Sequence, residues 1–216
     1  YIAMEYLEGV TLNQLVDISG PLNESRTIHI VLRVCRSLRE AHKKNLIHRD
    51  IKPQNIMLCY FGETYDFIKV LDFGLVKELD PENKEEMTKL FEVGGTPMYM
   101  SPERITDPSQ VDYRTDIYSI GAIIYFLLTG RKPFNKGVTD LDTINHVLND
   151  PPTEIVDLTT SKDLLDIVHR CLRKNPHERF ETVEQLILEL ENLKTPVWKQ
   201  EQAGEWWNKH LTQYLE

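Results

Sequence analysis

His48-Arg49-Asp50-Ile51-Lys52-Pro53-Gln54-Asn55 is the stretch whose reading decides the fold. It places an acid, a base and an amide in one short polar loop. Asp50 can accept a proton from an incoming hydroxyl, and Lys52 can neutralise a phosphoryl oxygen. Asn55 can offer its side-chain oxygen to a hard cation such as Mg²⁺. Pro53 stiffens the turn between them.

The flanks say how such a loop is held. Over residues 24–44, Ile28, Val31, Val34, Cys35, Leu38, Ala41 and His42 recur at helical spacing, with Arg and Glu on the other face. Asn23 is the expected N-cap. The loop therefore hangs from the C-terminal end of a long helix. His29 and His42 are single histidines on that helix and read as packing or surface residues rather than ligands. Downstream, residues 56–60 and 67–71 read as two short strands joined by a hairpin loop over 61–65. That hairpin has Asn55 at its start and Asp72 at its end, so two oxygen ligands converge from opposite strands.

Two further signatures follow in order. Asp72-Phe73-Gly74 supplies a carboxylate, an apolar anchor and a flexible glycine. Gly95-Thr96-Pro97-Met98-Tyr99-Met100-Ser101-Pro102-Glu103 comes next. With these three signatures in this order the chain resembles the protein kinase family, and most closely the bacterial serine/threonine kinases of eukaryotic type. The resemblance runs from Tyr1 to about Leu193. Ser101 stands where alanine is usual and Ile51 where leucine is common, both mild exchanges.

The resemblance implies an α+β, mainly α-helical fold: the large C-terminal lobe of a protein kinase, with short β-hairpins. It implies ATP and Mg²⁺ as cofactors and a protein substrate with a Ser/Thr acceptor. In that reading Asp50 orients the hydroxyl and takes its proton, and Lys52 stabilises charge on the moving phosphoryl group. Asn55 and Asp72 hold the metal ions. Residues 1–7 become a strand and the hinge between lobes, ended by Glu8-Gly9. There the Glu5 carbonyl and the Leu7 amide and carbonyl face the adenine edge, Met4 guards the pocket behind it, and Met57 forms the floor beneath. The glycine-rich loop, strand lysine and helix glutamate of the family normally precede the hinge. No segment of these 216 residues matches them, so the expectation is a lobe whose first, N-terminal partner lobe is missing. The acidic 75–94 stretch takes the place of the activation loop, with Thr88 expected to carry an activating phosphate beside Arg49 and Thr96 expected to contact Asp50 and Lys52. Asp116 is expected to accept backbone hydrogen bonds from the catalytic loop, and Arg179 to pair with Glu103.

Composition bounds the alternatives. Hydrophobic residues are 41% and charged residues 27% of the chain, enough apolar content for a sizeable core. A net charge of −9 argues against a nucleic-acid binder, which needs a basic face. Cys35, Cys59 and Cys171 are far apart with no C-x-x-C pair, which suits reduced thiols in a cytoplasmic protein. The most apolar run, 117–128, falls well short of the ~20 residues a bilayer needs and is bracketed by Asp116 and Arg131. It reads as a buried helix, leaving no membrane segment in this chain. Further helices are expected at 11–19, 113–129, 140–148, 161–173 and 182–193. The organisation expected is a kinase-lobe region over 1–194 and an aromatic C-terminal tail over 195–216, either a short helix packed on the lobe or an exposed partner-binding segment.

Two other readings stay open at this level. One is a small-molecule phosphotransferase of kinase-like fold, which generally lacks the Gly-Thr-Pro…Ser-Pro-Glu segment. The other is a pseudokinase or scaffold module, which the intact Asp50, Lys52, Asn55 and Asp72 disfavour.

Overall fold

The computed structural model of the chain describes residues 5–72, 97–134, 139–156 and 159–212. Met4, Phe73, Gly74, the 75–94 stretch with Thr88, and Thr96 lie outside the described residues, as do the expectations attached to them.

Strand β1 (Gly9–Thr11) opens the regular structure. The sequence put a strand running into a hinge loop over 1–7, ended by Glu8-Gly9. Residues 5–8 have no regular structure, residues 1–4 lie outside the described residues, and Gly9 itself begins a strand instead of only ending one. The reason is close approach. A Cβ on Gly9 would sit 2.2 Å from the Leu58 carbonyl oxygen, so only glycine lets β1 reach its neighbour. Helix α1 (Leu12–Ser19) follows at once, started by a reciprocal cap between Thr11 and Gln14 and stopped by Gly20 at φ 70°. Helix α2 (Glu24–His42) begins where Asn23 accepts the Arg26 amide at 2.9 Å.

Strands β2 (Ile56–Phe61) and β3 (Thr64–Val70) pair antiparallel, and the sheet order is β1-β2-β3. The hairpin loop is shorter than the expected 61–65. Only Gly62 and Glu63 turn, with φ of 53° and 66°. Two consecutive positive φ values match the right-handed strand twist, so two residues suffice to reverse the chain.

Helices α3 (Pro102–Thr106) and α4 (Arg114–Thr129) come next. Every residue of α4 from 115 to 128 is buried, and Gly130 ends it at φ 65°. This is the apolar run of the sequence, and it is the axis of the core. Helix α5 (Asp140–Asn149), α6 (Lys162–Cys171), α7 (Val183–Glu191) and α8 (Gln200–His210) complete the order. Helix α6 packs on α4 so closely that a Cβ on Gly121 would lie 2.5 Å from the Cys171 Cβ. Helix α2 packs on α4 and α7, and α8 lies against β3. The chain is thus mostly helical with one small antiparallel sheet.

All three cysteines are buried. Burial pushes Cys59 up to about 11 and Cys171 up to about 12, so both stay as inert thiols at neutral pH. Among the described residues no helix is long and apolar enough to cross a membrane.

Candidate active site

The loop between α2 and β2 is built on a buried acid. Asp116, fully buried in the first turn of α4, accepts the His48 amide at 3.0 Å and the Arg49 amide at 2.9 Å. Its carboxylate also meets the His42 Nε2 at 2.8 Å, from the last turn of α2. A carboxylate in the core is costly unless its oxygens are occupied, and these contacts occupy them. They also bend the loop: Arg49 is held at φ 67°, a left-handed conformation that a long side chain adopts only when its surroundings enforce it.

His48 ties the loop to the end of the hairpin. Its ring is fully buried. The Asp50 amide donates to His48 Nδ1 at 3.3 Å, so that nitrogen is the acceptor. The other ring nitrogen, Nε2, lies 2.8 Å from the Leu71 carbonyl and must donate to it. One side chain therefore fixes Asp50 relative to the residue preceding Asp72.

Asp50, Lys52 and Asn55 converge. Lys52 Nζ lies 2.7 Å from Asp50 Oδ2, with both side chains partly exposed. Asn55 Nδ2 donates to the Asp50 carbonyl and to Asp50 Oδ2, each at 2.8 Å. Pro53 opens a 3-10 turn over Pro53–Asn55, which the Asn55 amide closes on the Lys52 carbonyl at 2.9 Å. With Nδ2 spent on Asp50, the Asn55 amide oxygen takes no hydrogen bond among the described residues and remains an acceptor for a cation. The Leu71 amide donates to the Asn55 carbonyl at 2.8 Å, which brings the two roots of the hairpin together. Asp72 follows, exposed and at φ 61°.

Two hard oxygen donors on adjoining roots fit Mg²⁺ completed by water or phosphate oxygens. They do not form a dedicated metal cage, and among the described residues no cluster of three or more His, Cys, Asp or Glu offers one. Of the residues assigned to adenine, Glu5 and Leu7 precede β1 and Met57 lies on the central strand β2. Leu7 is half-buried just before β1. Met57 pairs across the sheet with Thr11 and Lys69, on the face opposite Ile56 and Leu58. The Glu5 side chain turns away to bind Lys69 at 2.7 Å, which leaves only its backbone for a ligand.

Beside the loop sits a second arginine that sequence reasoning did not single out. Arg104, on α3, donates through Nη1 to the Arg49 carbonyl. Burial lowers its basicity, opposed by the nearby Asp50 and Asp116. The Nε atoms of Arg49 and Arg104 are both buried without a hydrogen-bond partner among the described residues. On the far side of α3, Arg179 Nη1 and Nη2 grip the two oxygens of Glu103 at 2.7 Å each.

Residues 1–189 match the family described as the protein kinase domain. Serine/threonine-protein kinase pkn3 of Myxococcus xanthus is 39% identical over 195 residues, covering 88% of this chain and 36% of that protein. Serine/threonine-protein kinase PknB of Mycobacterium tuberculosis is 36% identical over 191 residues, covering 88% of this chain and 30% of that protein. The chain thus spans about a third of the length of the curated relatives it matches. A crystal structure of Rad53 1–466 in complex with AMP-PNP superposes with a TM-score of 0.68 at 25% identity, covering 85% of this chain and 44% of that one.

Proposed function

Because the chain belongs to the protein kinase family, we propose that it serves transfer of the γ-phosphoryl group of ATP to serine or threonine hydroxyls of proteins, with Mg²⁺. The observation that carries this reading is the double hold on Asp50. Lys52 Nζ and Asn55 Nδ2 both reach Asp50 Oδ2, at 2.7 and 2.8 Å. A carboxylate so fixed presents its other oxygen to an incoming hydroxyl in one orientation. The partly exposed ammonium of Lys52 sits where charge on the transferring group develops. Asn55 and Asp72 would hold the metal, which would supply neutralisation of phosphate charge.

Leu7 and the Glu5 backbone meet adenine at the hinge, over Met57. The chain acts here as the large lobe, with the glycine-rich loop, strand lysine and helix glutamate supplied by a first lobe. Lys52, two positions after the acid, favours Ser/Thr over Tyr acceptors. The buried Nε of Arg49, without a partner among the described residues, supports Thr88 as the activating phosphate site. Three buried thiols suit a reducing compartment, and we place the protein in the cytoplasm.

Acceptor class tests this reading. A protein carrying this lobe together with a glycine-rich first lobe is given ATP, Mg²⁺, a basic protein mixture and, separately, aminoglycosides. Phosphoserine or phosphothreonine in the protein fraction is expected. Phosphate only on the small molecules contradicts the protein-kinase reading.

A further inference from the structure

Among the described residues strand β3 is an edge strand, and its one fully buried residue is an acid. Asp66 is 0% exposed, while the other residues of β3 are half-buried. Four N–H groups surround it. Arg26 Nε and Nη2 donate to Oδ2 and Oδ1 at 3.0 Å each. Trp198 Nε1 donates to Oδ2 at 2.9 Å and Trp207 Nε1 to Oδ1 at 2.8 Å. Each oxygen takes two donors, so the carboxylate is saturated. Its backbone sits at φ 53°, a conformation aspartate tolerates and that these bonds hold.

The two indoles belong to the segment 195–211, and that segment is fastened at several further points. Thr195 Oγ1 donates to Glu24 Oε1, and Ser25 Oγ donates to the Pro196 carbonyl at 2.7 Å. The Arg26 guanidinium lies 5.1 Å from the Trp198 ring centroid and 4.2 Å from that of Trp206. Gln200 pairs its amide with both backbone groups of Tyr65, at 2.9 and 3.0 Å, in place of a neighbouring strand. A Cβ on Gly204 would come 2.8 Å from the Tyr65 ring, so α8 lies directly on that side chain.

Helix α2 connects this anchor to the chemistry. Its first turns hold Arg26 on Asp66, and its last turn holds His42 on Asp116, the acid that shapes the catalytic loop. The β3 ladder then runs roughly 20 Å from Asp66 to Asp72, and Leu71 closes it on Asn55. We propose that Asp66 is a positioning residue: by tying the aromatic segment 195–211 to both α2 and β3, it sets where the hairpin presents Asn55 and Asp72 relative to Asp50. The segment is then part of the frame of the active site. The catalytic consequence rests on the kinase reading above; the structural one does not.

Hydrogen exchange followed by mass spectrometry on the full chain tests it without substrate. Asp66→Asn turns an NH₂ toward two of the four donors and removes the charge, and Gln200→Ala removes only the exposed amide pair. In Asp66→Asn, the amides of β3 and of Leu71 are expected to exchange at least tenfold faster, with α4 and α6 unchanged. Gln200→Ala should show the same pattern at several-fold. Loss of protection confined to α8, with β3 and Leu71 as in the parent chain, overturns the proposal. If Asp66→Asn loosens α4 and α6 as well, Gln200→Ala decides, and unchanged exchange at Leu71 there overturns it equally. In the two-lobe protein, Asp66→Asn should raise the Mg²⁺ concentration for half-maximal transfer several-fold. A parent protein that transfers no phosphate counts against the kinase reading alone, because the exchange arm stands without it.

Discussion

Arg179 and Glu103 face each other through two parallel hydrogen bonds of 2.7 Å, both side chains buried. The guanidinium also donates to the carbonyls of Arg173, Arg114 and Lys174, so it staples the 173–174 segment and the start of α4 to α3. Glu103→Ala leaves a buried charge without its counter-ion. The expected loss of stability is about 3–5 kcal/mol, read from urea unfolding. Arg179→Lys keeps the charge but loses the planar fork, and should retain part of the stability. Equal stability of Glu103→Ala and the parent would contradict a structural role for the pair.

Asp116 serves the His48–Asn55 loop rather than the core alone. Asp116→Ala orphans the amides of His48 and Arg49, at about 1–3 kcal/mol for each unsatisfied donor. Asp116→Asn keeps one acceptor and turns an NH₂ toward the other donor, so it should fall between alanine and the parent. In the two-lobe protein, transfer should drop in the same order. A fully active Asp116→Ala would show that Arg49 keeps its left-handed backbone without the acid.

Acid should loosen the aromatic segment through His29. Burial, and then the charge of Arg33, lowers this imidazole from 6.5 to about 4, against opposing pulls from Asp66. Its Nε2 accepts from Arg33 Nε at 3.0 Å, which requires the neutral ring. Between pH 4 and 6.5 the unfolded chain therefore binds the extra proton. The contribution of His29 is present above pH 6.5 and is lost as pH falls toward 4. The slope is at most about 1.4 kcal/mol per pH unit, and less because the ring is only half-buried. Melting temperature against pH should fall more steeply over that window for the parent than for His29→Gln.

Metal dependence separates the two acids of the site. In the proposed kinase reading Asp72→Asn removes a charged oxygen donor for the metal, so raised Mg²⁺ or Mn²⁺ should restore part of the transfer. In the same proposed reading Asp50→Asn removes the hydroxyl-orienting carboxylate, which no metal replaces. Equal rescue of both would contradict the division of roles.

The arrangement of the candidate site was legible because its residues are local. His48 to Asn55 is one loop, and Asn55 and Asp72 bracket one hairpin, so sequence order alone implied their convergence. Helix periodicity likewise placed α2, α4, α6 and α7 to within a few residues. Gly9 misled, because a glycine that ends a strand and one that lets two strands touch look the same in sequence; the difference is the Leu58 carbonyl beneath it. Asp66 was missed for a related reason. An acid between Tyr65 and Phe67 reads as the solvent side of a strand, and its donors lie 40 residues before it, at Arg26, and 141 residues after it, at Trp207. The one available signal was the three tryptophans of the chain, all between 198 and 207, since buried indoles need acceptors. Arg104 escaped notice because nothing in the order of residues brings α3 to the Arg49 carbonyl.

Transfer of the γ-phosphate of labelled ATP to protein hydroxyls, compared between the two-lobe protein and its Asp50→Asn variant at equal folded concentration, tests the catalytic assignment most directly. Phosphoserine or phosphothreonine formed by the parent, with a loss of about 10²–10⁴-fold in Asp50→Asn and unchanged binding of ATP-Mg²⁺, is the predicted result. Transfer by Asp50→Asn within a few-fold of the parent would contradict it.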